Sequence, residues 1–490
     1  MNHQDQTLDF SKSAIHGTAW RYVALFSGKL VVFISTVILA RLLTKDDFGL
    51  VGYAVTVVAF LEELSDLGVS AAVIFHPNDQ DRVSTAFWIN QISSLLFFVA
   101  VWVLSPFIAL YFKDGRVTDI TRILALTFPF LALGNIQGAV LLKRLSFKLS
   151  FAPSFAKSFV KGVASVGFAF AGFGPWSLIW GQLLGTLLSS ITYWIVTPWR
   201  PSLVFKFEMA RSLLKYGVDF ILGQTLSLVI LSLDYVLVGR YLGSERLGVY
   251  SLAFRMPDLL ILEFARTLTS VLFPIYSQMR DQTGSMSRAF FLVTRYISLI
   301  TIPLGLGLAL VAEPFVLTFF TDKWIDAIPV VRGIAVYATL LSVVHNTNSV
   351  YWSEGRPQII TWIGIARLSF LLPGLLWAVL VAKSIVAVGW VHAGIAFLSA
   401  IFNFLVATKL IGLPFSEIGR ALRPALLAGA LMAVCVFSVL KLTQFSMPSW
   451  LLLIEGVVVG GLAYLVGLWF LQRDIIITVG TKVRASLGWA

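Results

Sequence analysis

The segment "FRMPDLLILEFARTL" at residues 254–268 sets four ionisable side chains, Arg255, Asp258, Glu263 and Arg266, into an otherwise apolar run. At about 100° per residue, Arg255 and Arg266 fall within about 20° of each other, some three helical turns apart. Asp258 lies about 60° to one side of Arg255 and Glu263 about 80° to the other, so all four share one stripe. Two chemistries fit this stripe. The cations can hold an anionic ligand while the acids serve an ion or act as their partners. Alternatively, Arg255–Asp258 and Glu263–Arg266, each at i, i+3, neutralise one another so that a polar helix can sit among apolar neighbours.

Similar residues punctuate other apolar runs. Arg21 and Lys29 are eight residues apart, about 80° around a helix, and can share one wide face. Arg367 stands near the middle of its run, and Glu62 and Asp66 form an i, i+4 pair with Glu63 on a neighbouring row. Asp234 and Glu455 are single acids; we expect Glu455 to be structural. "VVHNTNSVYW" (343–352) carries His345, Asn346 and Asn348, which can bond a polar ligand or join helices. The candidate ligand-binding residues are thus Arg21, Lys29, Arg255, Arg266, Arg367, Asn346 and Asn348. The candidate ion-coupling residues are Asp66, Asp234, Asp258 and Glu263. The histidines His3, His16, His76, His345 and His392 lack metal-ligand spacing, and the single cysteine, Cys435, cannot form an intramolecular disulfide. Nothing calls for a cofactor.

The elements that must carry these residues follow from composition. The chain has 490 residues, 58% of them hydrophobic and 13% charged, about half the charged share of a soluble protein. It reads as an all-α integral membrane protein with about fourteen spans of roughly 20 apolar residues. These cover 18–40, 48–74, 84–111, 121–142, 150–172, 175–197, 212–239, 248–277, 289–312, 328–353, 358–381, 385–408, 421–440 and 449–471. The short alternating segments of a membrane barrel are absent, and residues 1–17 are too polar for a cleavable signal peptide. No loop is long enough for a folded domain outside the membrane.

Assigning the N-terminus and every second loop to one side gives that side 21 Lys and Arg residues against 11 on the other. The bias expects both termini in the cytoplasm. It also assigns the net charge of +12 to a membrane surface and its lipids, not to nucleic acid. The stretch 202–215, "SLVFKFEMARSLLK", alternates basic and apolar residues and is expected to form an interfacial amphipathic helix between two halves. Gly181–Gly185 and Gly456–Gly460 are GxxxG packing faces.

The halves are visible as a repeat. "RLLTKDDFGLVGYA" (41–54) recurs 199 residues later as "RYLGSERLGVYSLA" (240–253), pairing Arg41 with Arg240, Leu43 with Leu242, Gly49 with Gly248 and Ala54 with Ala253. "LVVFISTVILA" precedes the first copy and "LVILSLDYVLVG" the second. An even number of spans separates the copies, so the repeat is parallel, as in one class of secondary transporters with the substrate site between the halves. The expected organisation is an N-lobe at 1–201, a C-lobe with the linker helix at 202–410, and two added spans with a tail at 411–490.

Together with "LSDLGVSAAVIF" (64–75), these elements resemble the polysaccharide-transport branch of the multidrug/oligosaccharidyl-lipid/polysaccharide exporter superfamily, the Wzx-type flippases, over roughly residues 10–410. The length resembles the exopolysaccharide or colanic-acid-type members. The resemblance implies two six-helix bundles in a V shape, alternating access, residence in the bacterial inner membrane and a polyprenyl-diphosphate-linked oligosaccharide as cargo. It also admits other polysaccharide-assembly proteins as partners. A diphosphate suits arginine, whose planar fork makes paired, charge-assisted hydrogen bonds. Two rivals stay in view. A cation-coupled multidrug antiporter of the same superfamily expects an acid-rich cavity, whereas here both signs occur. A membrane glycan polymerase or ligase expects a sizeable catalytic loop outside the membrane, and none is long enough; the protein is not expected to be an enzyme.

Overall fold

A computed structural model describes residues 27–75, 79–144, 146–266, 272, 276 and 285–486; among these every regular element is helical. Among the described residues, ten helices are long and apolar enough to cross a membrane. They correspond to ten of the fourteen expected spans. The four that do not qualify, spans one, two, five and eight, are only partly described or carry Lys29, Glu62, Glu63, Asp66, Lys157, Lys161, Arg255, Asp258, Glu263 and Arg266. The helices least suited to face lipid are therefore the ones that bear most of the candidate site residues.

The chain forms two compact units, Met1–Gly248 and Val249–Ala490. In the first, α1 (27–42) is followed by α2 (Lys45–Ser65), α3 (Val69–Phe75), α4 (Gln80–Phe112), α5 (Val117–Leu124), α6 (Thr127–Lys143), α7 (Phe147–Phe170), α8 (Trp176–Val196) and α9 (Phe207–Leu242). α10 (Ser244–Pro257) begins in this unit and runs into the next.

Helix α2 starts from a capping box: Thr44 accepts from the Asp47 amide, and the Asp47 carboxylate accepts from the Thr44 amide. Two orphan donors are thereby satisfied. α7 and α8 pack closely because Gly181 and Gly185 face the backbone of Lys161 and Lys157, so the first GxxxG is a packing face as expected. α6 meets α8 in the same manner, Gly134 and Gly138 lying under Ser190 and Tyr193, with the Trp194 indole donating to the Leu133 carbonyl at 2.8 Å.

Two features depart from the expected layout. The linker 202–215 does not form a helix of its own: α9 begins at Phe207 and continues unbroken through span seven. Residues 200–206 are instead an extended strap. The Arg200 guanidinium donates to the carbonyls at the end of α8, and Ser202 and Lys206 are tied to Ser84, Thr85 and Asp81 at the start of α4. Leu203, Phe205 and Phe207 stay exposed around the basic Lys206, so the amphipathic character survives without a separate helix. Helix α9, placed by the repeat at the start of the second half, packs within the first unit against α2, α3 and α4. Its backbone comes close because Gly217 meets the Leu67 carbonyl and Gly239 lies under the Tyr53 ring.

At the end of this unit that bears the α2 N-terminus, Arg116 donates to Asp114 at 2.7 Å and to Asp46 at 2.7 Å. The guanidinium holds both carboxyls below their usual range. A depressed carboxylate contributes stability above its unfolded value and loses that contribution as pH falls through its folded value. The three groups are partly exposed, so the effect is small. We predict that detergent-solubilised wild type melts slightly above Arg116→Ala at pH 7 and that the gap closes as pH falls below the ordinary carboxylate range. A gap that persists unchanged into acid would contradict the ion-pair account.

In the second unit, Asp258–Leu262 is a π-turn following α10, and α11 (Ser285–Leu310), α12 (Ala312–Phe319), α13 (Ile328–Val344) and α14 (Asn346–Ser353) come next. α15 (Gln358–Leu376), a second π-turn at Trp377–Val381, α16 (Ile385–Leu410), α17 (Phe415–Thr443) and α18 (Ser449–Ser486) complete it. The two added spans α17 and α18 dock on α11 and α12 through Val311, Ala428, Met432, Val436 and Tyr464. Gly456 faces Val311 and Gly460 faces Val436, so the second GxxxG is also a packing face. Glu455 accepts from Thr443 at 2.7 Å across the same pair, in keeping with a structural acid.

Candidate functional site

Pro257 places the densest cluster. Proline cannot donate to the helical ladder, and the helix widens directly after it into the π-turn, where the Glu263 amide bonds the Asp258 carbonyl. A π-turn alters the rotation per residue, and such turns are frequent at functional sites. The uniform 100° wheel therefore misplaces the partners. Arg266 donates to Asp258 at 2.6 Å, eight residues back, and to Glu263 at 3.2 Å. The i, i+3 pair Glu263–Arg266 exists, while Asp258 has been drawn to the same guanidinium. Arg266 keeps 42% of its side chain exposed, and each acid 30%. Arg255 is exposed one turn before them.

One more cation of the second unit, Arg367, belongs near this cluster. Arg266 and Arg367 both lie within electrostatic reach of His345, at the junction of α13 and α14. Arg367 donates to the Tyr337 hydroxyl at 3.1 Å and stands 5.8 Å from that ring, which packs edge-on against His392. The sequence singled out Arg266 and Arg367 separately. That His345 lies near both, and that Tyr337 bonds one of them, depends on helices distant in the chain. The only hint was that His345 is the lone imidazole within "VVHNTNSVYW".

Asn346 turns away from this cluster. It is fully buried, accepting from the Tyr276 hydroxyl at 2.9 Å and donating to Thr294 at 3.2 Å, and so joins neighbouring helices. Asn348, two residues on, is half-buried.

The first unit holds a different constellation. At the break between α2 and α3, Asp66 accepts from the Ser70 amide at 3.1 Å, the Ser70 hydroxyl at 2.6 Å and the Asn90 side chain at 2.9 Å. Glu62, one turn earlier, lies near Thr127, Lys157 and Lys161. Lys29 is half-buried on α1, whose neighbouring Gly28 faces Ser158 of α7. Asp234 is 2% exposed on α9, with its carboxylate accepting from the Tyr235 amide. Arg21 lies outside the described residues. Ser70, at i+4 from Asp66, could have been read from spacing; Asn90, 24 residues on, could not.

The two constellations differ chemically. The first surrounds a carboxylate with neutral donors, an arrangement suited to an acid that exchanges a proton or small cation. The second spreads partly exposed guanidiniums over two spans, an arrangement suited to an anion with many acceptor oxygens. Among the described residues no group of His, Cys, Asp and Glu could hold a metal ion.

The family described as polysaccharide biosynthesis protein matches residues 38–329. The teichuronic acid biosynthesis protein TuaB of Bacillus subtilis is 27% identical over 93% of this chain and 95% of its own length. The succinoglycan biosynthesis transport protein ExoT of Rhizobium meliloti is 24% identical over 97% of this chain and 96% of its own. Among solved structures, the lipid II flippase MurJ in an inward closed conformation superposes with a TM-score of 0.76 at 13% identity, covering 94% of this chain and all of that one. At that identity the likeness is one of fold.

Proposed function

The chain belongs to the polysaccharide biosynthesis protein family, and from that premise we propose that it is a flippase of the bacterial cytoplasmic membrane. It carries a polyprenyl-diphosphate-linked oligosaccharide from the cytoplasmic to the outer leaflet by alternating access, with both termini in the cytoplasm. One observation supports this above the rest: cations gather on the spans too polar to face lipid and stay partly exposed there, notably Arg266 beside Asp258 and Glu263. A lipid-facing charge cluster is costly, so a partly exposed one belongs on a watered path.

In this reading Arg21, Lys29, Arg255, Arg266 and Arg367 take turns in holding the diphosphate. Asp258 and Glu263 keep Arg266 extended and release it when the phosphate arrives. Asp66, held by Ser70 and Asn90, and buried Asp234 exchange the coupling ion. Asn348 lies near the cargo, whereas the bonds of Asn346 favour helix joining.

Deleting the gene tests the proposal. One surface polysaccharide should disappear while its lipid-linked repeat units accumulate on the cytoplasmic leaflet, and a plasmid copy should restore it. Unchanged polysaccharide together with new drug sensitivity would replace the flippase by a multidrug antiporter.

A further inference from the structure

The two copies of the repeated segment touch each other. A methyl group on Gly49 would overlap the carbonyl of Ser244, and one on Gly248 would overlap the carbonyl of Lys45. Gly49 and Gly248 are counterparts under the 199-residue offset, and so are Lys45 and Ser244. The polar contacts obey the same exchange. Lys45 lies 4.0 Å from Glu245, while Ser244 donates to Asp46, the counterpart of Glu245. All of these residues fall within the first compact unit. The contact is therefore two-fold: each copy presents its glycine to the other's backbone and its acid to the other's preceding side chain. Inward of it, Tyr53 donates to the Gly239 carbonyl at 3.2 Å and stacks on Phe112.

Such a joint closes tightly. At the contact itself backbone meets backbone with no side chain between, and the side chains that it must re-pack on opening lie just inward, where Leu247 faces Gly52 and Tyr53 covers Gly239. Its fastenings sit at the rim: Glu245 is 70% exposed and Asp46 38%, and exposed ion pairs contribute at most about 1 kcal/mol each. A duplicated segment that pairs with its own copy also closes about one axis, as a gate between two related helices must.

We propose that the reciprocal glycine clasp of Gly49 and Gly248 is the outer gate of the transport path, closed in this structure and parted when cargo leaves for the outer leaflet. This rests on the flippase reading above and on the charge bias that assigns both copies to the outer side. Arg116, bonded to Asp46, braces the clasp from the loop after α4.

The test locks the gate. In full-length protein with Cys435→Ala, the pair Asp46→Cys and Ser244→Cys should form a disulfide on oxidation in whole cells. Surface polysaccharide export should then fall at least tenfold and recover with reductant, while each single cysteine variant ignores the oxidant. A disulfide that never forms, or a locked protein that exports at the unlocked rate, overturns the proposal. A second measurement needs no cargo and so separates failure of the gate from failure of the flippase reading. Leu247→Cys, at a fully buried position behind the clasp and probed from outside with a membrane-impermeant maleimide in the Cys435→Ala protein, should react severalfold faster when Gly49→Val wedges the clasp. Equal rates, or labelling only from the cytoplasmic side, would refute an outer gate.

Discussion

Arg266→Ala is expected to reduce surface polysaccharide export by about 10- to 100-fold while leaving the protein folded and at normal level. A charge-assisted hydrogen bond contributes about 1.5–3 kcal/mol, and each 1.4 kcal/mol is a factor of about ten in rate. The fold survives because Arg266 is 42% exposed and its acids 30%, so the ion pairs themselves add little stability. The alternative is that Arg266 serves only to neutralise Asp258 and Glu263. A combined variant separates the two. If neutralisation is the whole role, Arg266→Ala with Asp258→Asn and Glu263→Gln should export normally, since no charge is then left unpaired. If the guanidinium contacts cargo, the combined variant stays inactive. Export and membrane protein level, measured together in the deletion strain, decide between them, and recovery in the combined variant would remove Arg266 from the cargo path.

The same residues show where the sequence was legible. That Arg255, Asp258, Glu263 and Arg266 form one polar stripe needs only helical periodicity, and Pro257 announces a disturbance there. The Glu263–Arg266 pair was legible too; that Asp258 would also take Arg266 was not, because the π-turn at Asp258–Leu262 changes the angular step. Gly181–Gly185 and Gly456–Gly460 could be recognised as packing faces, since small residues at i, i+4 in apolar runs have few other uses. The separate interfacial helix over 202–215 was a misjudged boundary. Amphipathic character persists there, but Ser202 and Lys206 find partners on α4 that periodicity cannot reveal. His345 beside Arg266 and Arg367, and Asn346 against Tyr276, depend on long-range packing in the same way. The register of the repeat was plain in the sequence, yet its consequence, two glycines facing each other's backbone, required coordinates.

The break between α2 and α3 was not legible at all, and it carries the largest expected effect on folding. "SDLG" reads as part of one span, yet Leu67 and Gly68 both adopt positive φ, 50° and 65°. For leucine this left-handed conformation costs roughly 1 kcal/mol or more, so the surroundings must enforce it. They do so from two sides. Asp66 bonds Ser70 and Asn90, and the Leu67 carbonyl is pressed onto Gly217 of α9. Around this point Val69, Ala72, Phe87, Ile136 and Leu213 form a buried apolar cluster. A side chain at position 217 would have to displace backbone on α2, which cannot yield without opening that cluster. Gly217→Val should therefore lose most of its folded protein in the membrane, because overpacking of this kind costs about 1–3 kcal/mol or more. Gly461→Ala is the matched control. It lies within α18 with nothing within 4 Å of an added methyl group, and alanine favours a helix interior by up to about 1 kcal/mol over glycine. Thermal unfolding in detergent should show the control at or above wild type and Gly217→Val far below it. If Gly217→Val melts with wild type, the close approach of α2 and α9 is not what holds the break in place.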